Sequence, residues 1–102
     1  MSIAQHSPMH PGAFIRRVYL EPNDISSNAL ARRLKVSAGL MSRLINEKAG
    51  LSPEMALKLS KVLGRSPESW LQMQDNHNLW RARQAIDLNE YRPLEFAVNR
   101  QA

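Results

Sequence analysis

The sequence predicts an all-α protein, and three observations support this fold class. Glycine and β-branched residues are few beside leucine, alanine, methionine, arginine and asparagine, a balance that favours helices over strands. Apolar residues recur at helical spacing in several segments, and two segments share a serine–proline–glutamate helix start. The length of 102 residues allows one modest core. We therefore predict one domain at residues 10–86, between a flexible arm at 1–9 and a tail at 87–102.

The first helix is predicted to begin at His10-Pro11-Gly12. Proline suits the first helical position, because the amide hydrogen that it lacks would have no partner there. Four side chains at helical spacing form the expected apolar face: Phe14, Ile15, Val18 and Tyr19. Pro22 is expected to end this helix, and residues 23–24 to make the following turn.

Residues 25–50 are predicted to form two short helices joined by a tight turn around Val36. Three apolar side chains give the first of them a buried face: Leu30, Ala31 and Leu34. The second has a face of the same kind: Met41, Leu44 and Ile45. A link of about three residues suits a steep crossing of the two helices. Lys35, just past the first helix, is expected to take a left-handed backbone at a cost of about 1 kcal/mol.

The last two predicted helices begin alike, at Ser52-Pro53-Glu54 and Ser66-Pro67-Glu68. The first is expected to end at Gly64. One of its sides is apolar: Met55, Ala56, Leu59, Val62 and Leu63. The second runs to about residue 86 and carries large apolar side chains: Trp70, Leu71, Met73, Leu79 and Trp80. In the tail, Leu94, Phe96 and Val98 alternate with other residues, which is a weak strand-like signal.

Positive charge is concentrated in residues 25–50. This segment holds five basic side chains and one acid, for a net charge of +4, whereas the whole chain carries +5. Local positive charge attracts DNA phosphates and releases their counterions. Two helices joined by a tight turn form a helix-turn-helix, whose second helix presents its N-terminal residues to base edges. Charge and pattern together favour DNA binding over a merely solvated basic surface.

The exposed face of that second helix supplies candidate contacts. Arg43 could pair with guanine and Asn46 with adenine or a phosphate, and Ser42 shares their face. Alternatively, Arg43 only neutralises phosphate and Asn46 only closes the helix. Ser37 is expected to cap the helix, where the exposed amides favour a phosphate. The other basic side chains of the segment are predicted to contact phosphates: Arg32, Arg33, Lys35 and Lys48.

The last predicted helix carries two tryptophans ten residues apart, so they do not lie on quite the same face. Trp70 is assigned to the core. Three side chains are predicted to form a second stripe, left over after the core is filled: Met73, His77 and Trp80. Such a stripe usually marks a partner surface, and we predict that it forms a homodimer interface.

Several classes of function are disfavoured by the sequence. It contains no cysteine, so disulfides and zinc–cysteine sites are excluded. We expect no metal site at His6, His10 and His77, because two lie on the arm or at the first helix start and the third is distant in sequence. No catalytic triad, placed carboxylate pair or phosphate-binding glycine loop is found, so neither an enzyme nor a cofactor is expected. Without a signal peptide or a membrane-spanning stretch, we expect a cytoplasmic protein.

Several motifs stand out between residues 10 and 84: His10-Pro11-Gly12, Asn28-Ala29-Leu30-Ala31, Ser52-Pro53-Glu54-Met55-Ala56, Ser66-Pro67-Glu68-Ser69-Trp70-Leu71 and Leu79-Trp80. Together they resemble HigA-type antitoxins of the Xre, or lambda-repressor-like, helix-turn-helix class. The resemblance implies five α-helices and a homodimer that binds palindromic operator DNA in its own promoter. It also implies a partner, a HigB-like toxin that cleaves messenger RNA and is neutralised by the antitoxin.

The chain departs from this class where DNA is read. Members usually place polar or basic side chains at the start of the recognition helix, whereas here the residues are Ala38, Gly39 and Leu40. These three can contact a thymine methyl but cannot form bidentate hydrogen bonds. Ser27 stands where a phosphate-facing glutamine is often found, and Lys35 where glycine is usual in the turn.

Three hypotheses about function follow. The first is a DNA-binding antitoxin that represses its own operon. The second is a stand-alone repressor of the same class without a toxin. The third is a protein-interaction module that has lost DNA binding, for which Ala38, Gly39 and Leu40 give the reason.

Overall fold

The computed structural model describes residues 7–96, which form five helices and one short 3-10 turn. Helix α1 consists of three consecutive segments, α-helical at Pro11–Phe14, π-helical at Ile15–Leu20 and α-helical at Glu21–Asn23. The others are α2 (Ser27–Leu34), α3 (Ala38–Ile45), α4 (Pro53–Leu63) and α5 (Pro67–Ala85), followed by the 3-10 turn Leu88–Glu90. The all-α prediction is confirmed for this part of the chain.

Helix α1 differs from the prediction because its middle is a π-helix. The Glu21 amide donates to the carbonyl of Arg16, five residues back. A proline in a regular helix collides with the carbonyl four residues before it, and the wider π turn moves that carbonyl aside. Pro22 therefore lies inside the last segment, and the prediction that it ends the helix was wrong.

The π turn also changes which side chains of α1 face the core. Leu20 is buried five residues after the fully buried Ile15, whereas Val18 is 45% exposed. The predicted apolar face was wrong at these two positions, because it assumed the 3.6-residue period of an α-helix. Phe14 and Tyr19 are half-buried and pack against the core, as predicted.

One core lies between the five helices, and it contains the predicted apolar faces of α2 and α3 in full. Helix α4 contributes Met55, Ala56 and Leu59, while Val62 is 38% exposed and Leu63 half-buried. Trp70 of α5 is fully buried, as predicted, and its indole N–H donates to the Gly64 carbonyl at 2.9 Å. Arg65 also covers this region, with its guanidinium carbon 5.5 Å from the centre of the Trp70 ring, and no sequence pattern indicated this contact.

Serine caps set the starts of α2 to α5. The side-chain oxygens of Ser26, Ser37, Ser52 and Ser66 each accept a hydrogen bond from the amide three residues on, at 3.0 to 3.1 Å. Each bond satisfies one of the amides that a helix start leaves without a partner. This is why short helices in a small domain have sharply defined first residues.

The predicted arm and tail are described only in part. Of the arm, only residues 7–9 are described, and there Pro8 is half-buried with its carbonyl 3.0 Å from His77 Nδ1. The described tail continues past the 3-10 turn to residue 96 without a strand, so the strand-like signal at Leu94 and Phe96 was wrong. Val98 lies outside the described residues. None of the helices in residues 7–96 is long and apolar enough to cross a membrane.

Candidate nucleic-acid interface

The turn between α2 and α3 fixes the angle at which α3 leaves the core. Lys35 has φ 59° and ψ 45°, the left-handed conformation predicted from the sequence. Its amide donates to Arg32 at 3.2 Å, and the amide of Val36 donates to Ala31 at 3.0 Å. Val36 itself is half-buried against the core. With both helices buried on one face, the opposite face of α3 is exposed along its length.

The start of α3 combines a side-chain cap with exposed amides. The Leu40 amide donates to Ser37 Oγ at 3.0 Å, which confirms the predicted cap. Ala38 and Gly39 are exposed beside it. Amides in the first turn of a helix have no partner within the helix, and the helix dipole adds positive potential there. This end of α3 can therefore hold a phosphate oxygen.

Arg43 lies on the same exposed face, one turn into α3. A Cβ placed on Gly39 would be 3.8 Å from an Arg43 guanidinium nitrogen and 4.0 Å from Ser37 Oγ. The Arg43 side chain therefore lies back over the first turn, next to the cap. A guanidinium there presents two N–H groups in the geometry that guanine or a phosphate accepts.

Asn46 and Leu40 are less available for base contact than the sequence suggests. The Asn46 side-chain amide donates to the Ser42 carbonyl at 2.9 Å and to Ser42 Oγ at 3.3 Å, so it closes the end of α3. Leu40, which the sequence offers as a contact to a thymine methyl, is half-buried and packs against the core. Arg43 and Ser42 thus remain the exposed polar side chains within the helix itself.

The basic side chains of residues 25–50 have no acidic partner within the described part of the chain. The two ion pairs found in residues 7–96 are Arg16–Glu21 and Lys58–Glu54. The unpaired cations of the helix-turn-helix are exposed: Arg32, Arg33, Lys35, Arg43 and Lys48. A cation without a protein partner can pair with a phosphate at no cost in broken ion pairs.

Ser27 and Lys48 lie at the edges of this surface. Ser27 is half-buried at the first position of α2 and lines a groove of about 400 Å³ with Arg16 and Ile45. Lys48 follows α3 and lines a polar cavity of about 220 Å³ together with Glu47. The one acid of the segment therefore points to this cavity, whose other walls include residues of α5.

Two of the three predicted interface residues of α5 contact their own chain. Met73 packs against the core, and His77 is half-buried beside Pro8. The description of these two as side chains left over after the core is filled was therefore wrong. Trp80 is half-buried, and its neighbour Leu79 is 49% exposed. The homodimer interface stays a prediction, now centred on Leu79 and Trp80.

Distance in sequence was the wrong reason for separating the histidines. The rings of His10 and His77 meet edge to face, with centroids 5.0 Å apart. His6 lies outside the described residues. Residues 7–96 contain no group of three or more histidine, cysteine, aspartate or glutamate side chains that could hold a metal ion.

Comparison with known proteins places this geometry in a family. A helix-turn-helix family model matches residues 17–70, which contain α2, α3 and α4 entirely. The chain belongs to the Xre-like helix-turn-helix family. This is a class of DNA-binding regulators and antitoxins without enzymatic activity, and the resemblance to HigA-type antitoxins is confirmed.

The alignments with curated relatives cover most of this chain and most of each relative. An uncharacterised helix-turn-helix transcriptional regulator, YddM of Escherichia coli K12, is 38% identical over 92% of this chain and 97% of its own. Antitoxin HigA-1 of Vibrio cholerae is 36% identical, over 81% of this chain and 78% of its own. The two names represent the two kinds of protein in this family, regulator and antitoxin.

Solved structures of similar proteins include complexes with DNA. PA4674 of Pseudomonas aeruginosa, in complex with a 28-bp operator DNA, superposes with a TM-score of 0.79 at 37% identity, covering 85% of this chain and 99% of that one. Antitoxin GraA in complex with its operator gives a TM-score of 0.76 at 30% identity, covering 94% and 100%.

Proposed function

We propose that the chain is a homodimeric antitoxin that binds the operator in its own promoter and neutralises a HigB-like toxin. The observation that carries the DNA part is the exposed face of α3, where Arg43 lies over the Ser37-capped helix start and the surrounding cations have no acidic partner in residues 7–96. Similarity to proteins solved with their operators supports the same mode of binding.

In this mode α3 enters the major groove and α2 lies across the backbone. Arg43 reads guanine with its two N–H groups, while Ala38 and Gly39 touch thymine methyls or sugar. The cations of α2 and the following turn contact phosphates, and Ser27 contributes a hydroxyl at the start of α2. Asn46 holds the end of α3 instead of reading a base.

Titration of the promoter DNA at several salt concentrations tests the phosphate contacts. With four to six phosphates neutralised per dimer, the slope of log affinity against log salt should be about −4 to −5. A random duplex of equal length is the matched control, because phosphate contacts act on both. An affinity that does not change with salt would contradict the phosphate roles of Arg32, Arg33 and Lys48.

The homodimer is proposed to use the exposed end of α5. Leu79 and the half-buried Trp80 offer apolar area there, and a two-fold axis would pair each patch with itself. Two recognition helices would then lie one DNA turn apart, about 34 Å. The two-fold symmetry predicts a palindromic operator, and this distance sets the spacing of its half-sites.

Toxin neutralisation rests on the likeness to antitoxin HigA-1 and other antitoxins. Exposed apolar side chains beyond α5 offer a surface for such a partner: Ile86, Leu88, Tyr91 and Leu94. Purification of the tagged chain expressed from its native operon should yield a stoichiometric complex with a second protein of about 100 residues. That protein should be encoded next to this one, and co-expression should remove its toxicity.

A stand-alone repressor is the second candidate, favoured by the likeness to the regulator YddM. It predicts promoter binding as above, but no neighbouring toxin gene and no co-purifying protein. A third candidate, a protein-interaction module, is favoured by the lack of hydrogen-bonding side chains at Ala38, Gly39 and Leu40. It predicts no preference for promoter DNA over random DNA at any salt concentration.

A further inference from the structure

His10 connects the start of α1 with the loop that leaves the recognition helix α3. Its side chain is buried, and its Nδ1 accepts a hydrogen bond from the Gly12 amide at 2.8 Å. The ring also hydrogen-bonds the backbone of Ala49, four residues past the end of α3. Because Nδ1 is an acceptor, the hydrogen must be on Nε2, so both bonds are made together only by the neutral ring.

The residue that His10 caps touches α3 directly. A Cβ on Gly12 would overlap the carbonyl oxygen of Leu44, so the α1 backbone packs against the last turn of α3 without a side chain between them. Any movement of the first turn of α1 therefore moves the end of the recognition helix. His10 holds both partners of this contact, one through Gly12 and the other through Ala49.

We propose that His10 is a positioning residue for the recognition helix and acts only as a neutral imidazole, so that operator binding weakens on acidification. A proton added at Nδ1 would place two N–H groups opposite each other at the Gly12 contact. The bond must then break, so the start of α1 loses its cap and the contact between Gly12 and the last turn of α3 is loosened. The inference rests on the proposed operator binding.

The charges around His10 come from every element that packs on it. His77 and Arg81 face it from α5, Glu47 and Lys48 from the loop after α3, and Arg17 from α1. Burial lowers the pKa of His10 below 6.5, and the neighbouring His77 lowers it further. Glu47 and the bond to Ala49 act in the opposite direction, and Arg81 again lowers the pKa.

A lowered pKa means that the unfolded or released state binds the proton better than the folded one. The stabilisation by neutral His10 is therefore complete above about pH 6.5 and is lost as the pH falls through the lowered pKa. General electrostatics predicts the reverse for DNA binding, because protonated histidines add positive charge and strengthen attachment to phosphates. The sign of the pH effect thus separates the two explanations.

The test measures operator affinity by fluorescence anisotropy at a series of pH values between about 7.5 and about 5.0, at one ionic strength. The full-length wild-type protein should lose about tenfold in affinity at the lower pH while its circular dichroism is unchanged. His10→Asn should bind at the lower pH at least as well as at the higher, since asparagine also caps a helix but does not titrate. His77→Gln should keep the loss and move its midpoint to higher pH, because His77 is one of the groups that lower the pKa of His10.

Each outcome decides a separate point. Affinity of the wild type that is constant or rises on acidification overturns the inference, as does a loss that appears only where circular dichroism shows unfolding. An equal loss in His10→Asn also overturns it, because another group must then carry the proton. Failure to bind the operator at any of these pH values contradicts the proposed function instead, since the inference concerns only how operator affinity changes with pH.

Discussion

Gly12 and Gly39 offer the same substitution in two opposite environments. Both lie in the first turn of a helix, Gly12 in α1 and Gly39 in α3. A Cβ on Gly12 would overlap the Leu44 carbonyl oxygen, which is backbone and cannot turn away. A Cβ on Gly39 would have no neighbour closer than 3.8 Å. The change to alanine should therefore destabilise the protein at Gly12 and stabilise it at Gly39.

The magnitudes follow from these contacts. Overpacking in a core typically costs about 1–3 kcal/mol. The Gly12 clash is with a helix backbone, so we expect a loss of about 3 kcal/mol, which is a large part of the stability of a small domain. Alanine is better than glycine in a helix by about 0.5–1 kcal/mol, so Gly39→Ala should gain up to about this amount.

Urea unfolding followed by tryptophan fluorescence measures both variants, since Trp70 lies in the core beside α1. The two midpoints should move in opposite directions from the wild type. If Gly12→Ala lies within about 1 kcal/mol of the wild type, α1 and α3 do not approach as closely as the structure has them. The positioning role inferred for His10 would then lose its mechanical basis as well.

Two further substitutions test the turn and the dimer. Lys35→Gly should raise the free energy of unfolding in urea by about 1 kcal/mol, because glycine takes φ 59° without strain. A loss of stability would mean that the lysine side chain makes a contact that outweighs the strain. Trp80→Glu should shift the protein towards monomer in sedimentation while helical content by circular dichroism stays the same. A variant that remains dimeric would place the interface elsewhere and remove the basis for the 34 Å spacing predicted for the operator half-sites.

Most of the fold follows from local sequence, because its helices begin and end at local signals. Serine caps and prolines at first helical positions set the starts of α4 and α5, and Gly64 ends α4. The buried faces of α2 and α3 follow the 3.6-residue period, so all six predicted side chains are in the core. Local signals were sufficient where the helix was regular.

Helix α1 departs from what its local sequence predicts. The sequence of a π segment looks like that of an α-helix, so nothing local showed that Leu20 would replace Val18 in the core. The proximity of His10 and His77 depends on how α1 and α5 pack, which no local pattern contains. The alternation in the tail predicted a strand, but residues 7–96 contain no other strand that could pair with it.

The sequence predicts where the candidate interface lies better than it predicts what each side chain does there. Charge and helix pattern placed the exposed face of α3 correctly, including the Ser37 cap. They could not show that the Asn46 side-chain amide donates a hydrogen bond to the Ser42 carbonyl, because that depends on the side-chain rotamer. Nor could they show that Arg43 folds back over Gly39.

In the proposed mode of DNA binding, Arg43 reads sequence while the cations around it bind phosphate. The direct measurement is the affinity of Arg43→Ala and Arg33→Ala for operator and for random DNA of equal length at one salt concentration. Arg43→Ala should lose about 1–3 kcal/mol on operator and far less on random DNA, since a bidentate base contact is made only with the correct base. Arg33→Ala should weaken both DNAs about equally. Equal losses on both DNAs for Arg43→Ala would contradict this role of Arg43, because the residue would then be a phosphate contact and specificity would have to come from DNA shape.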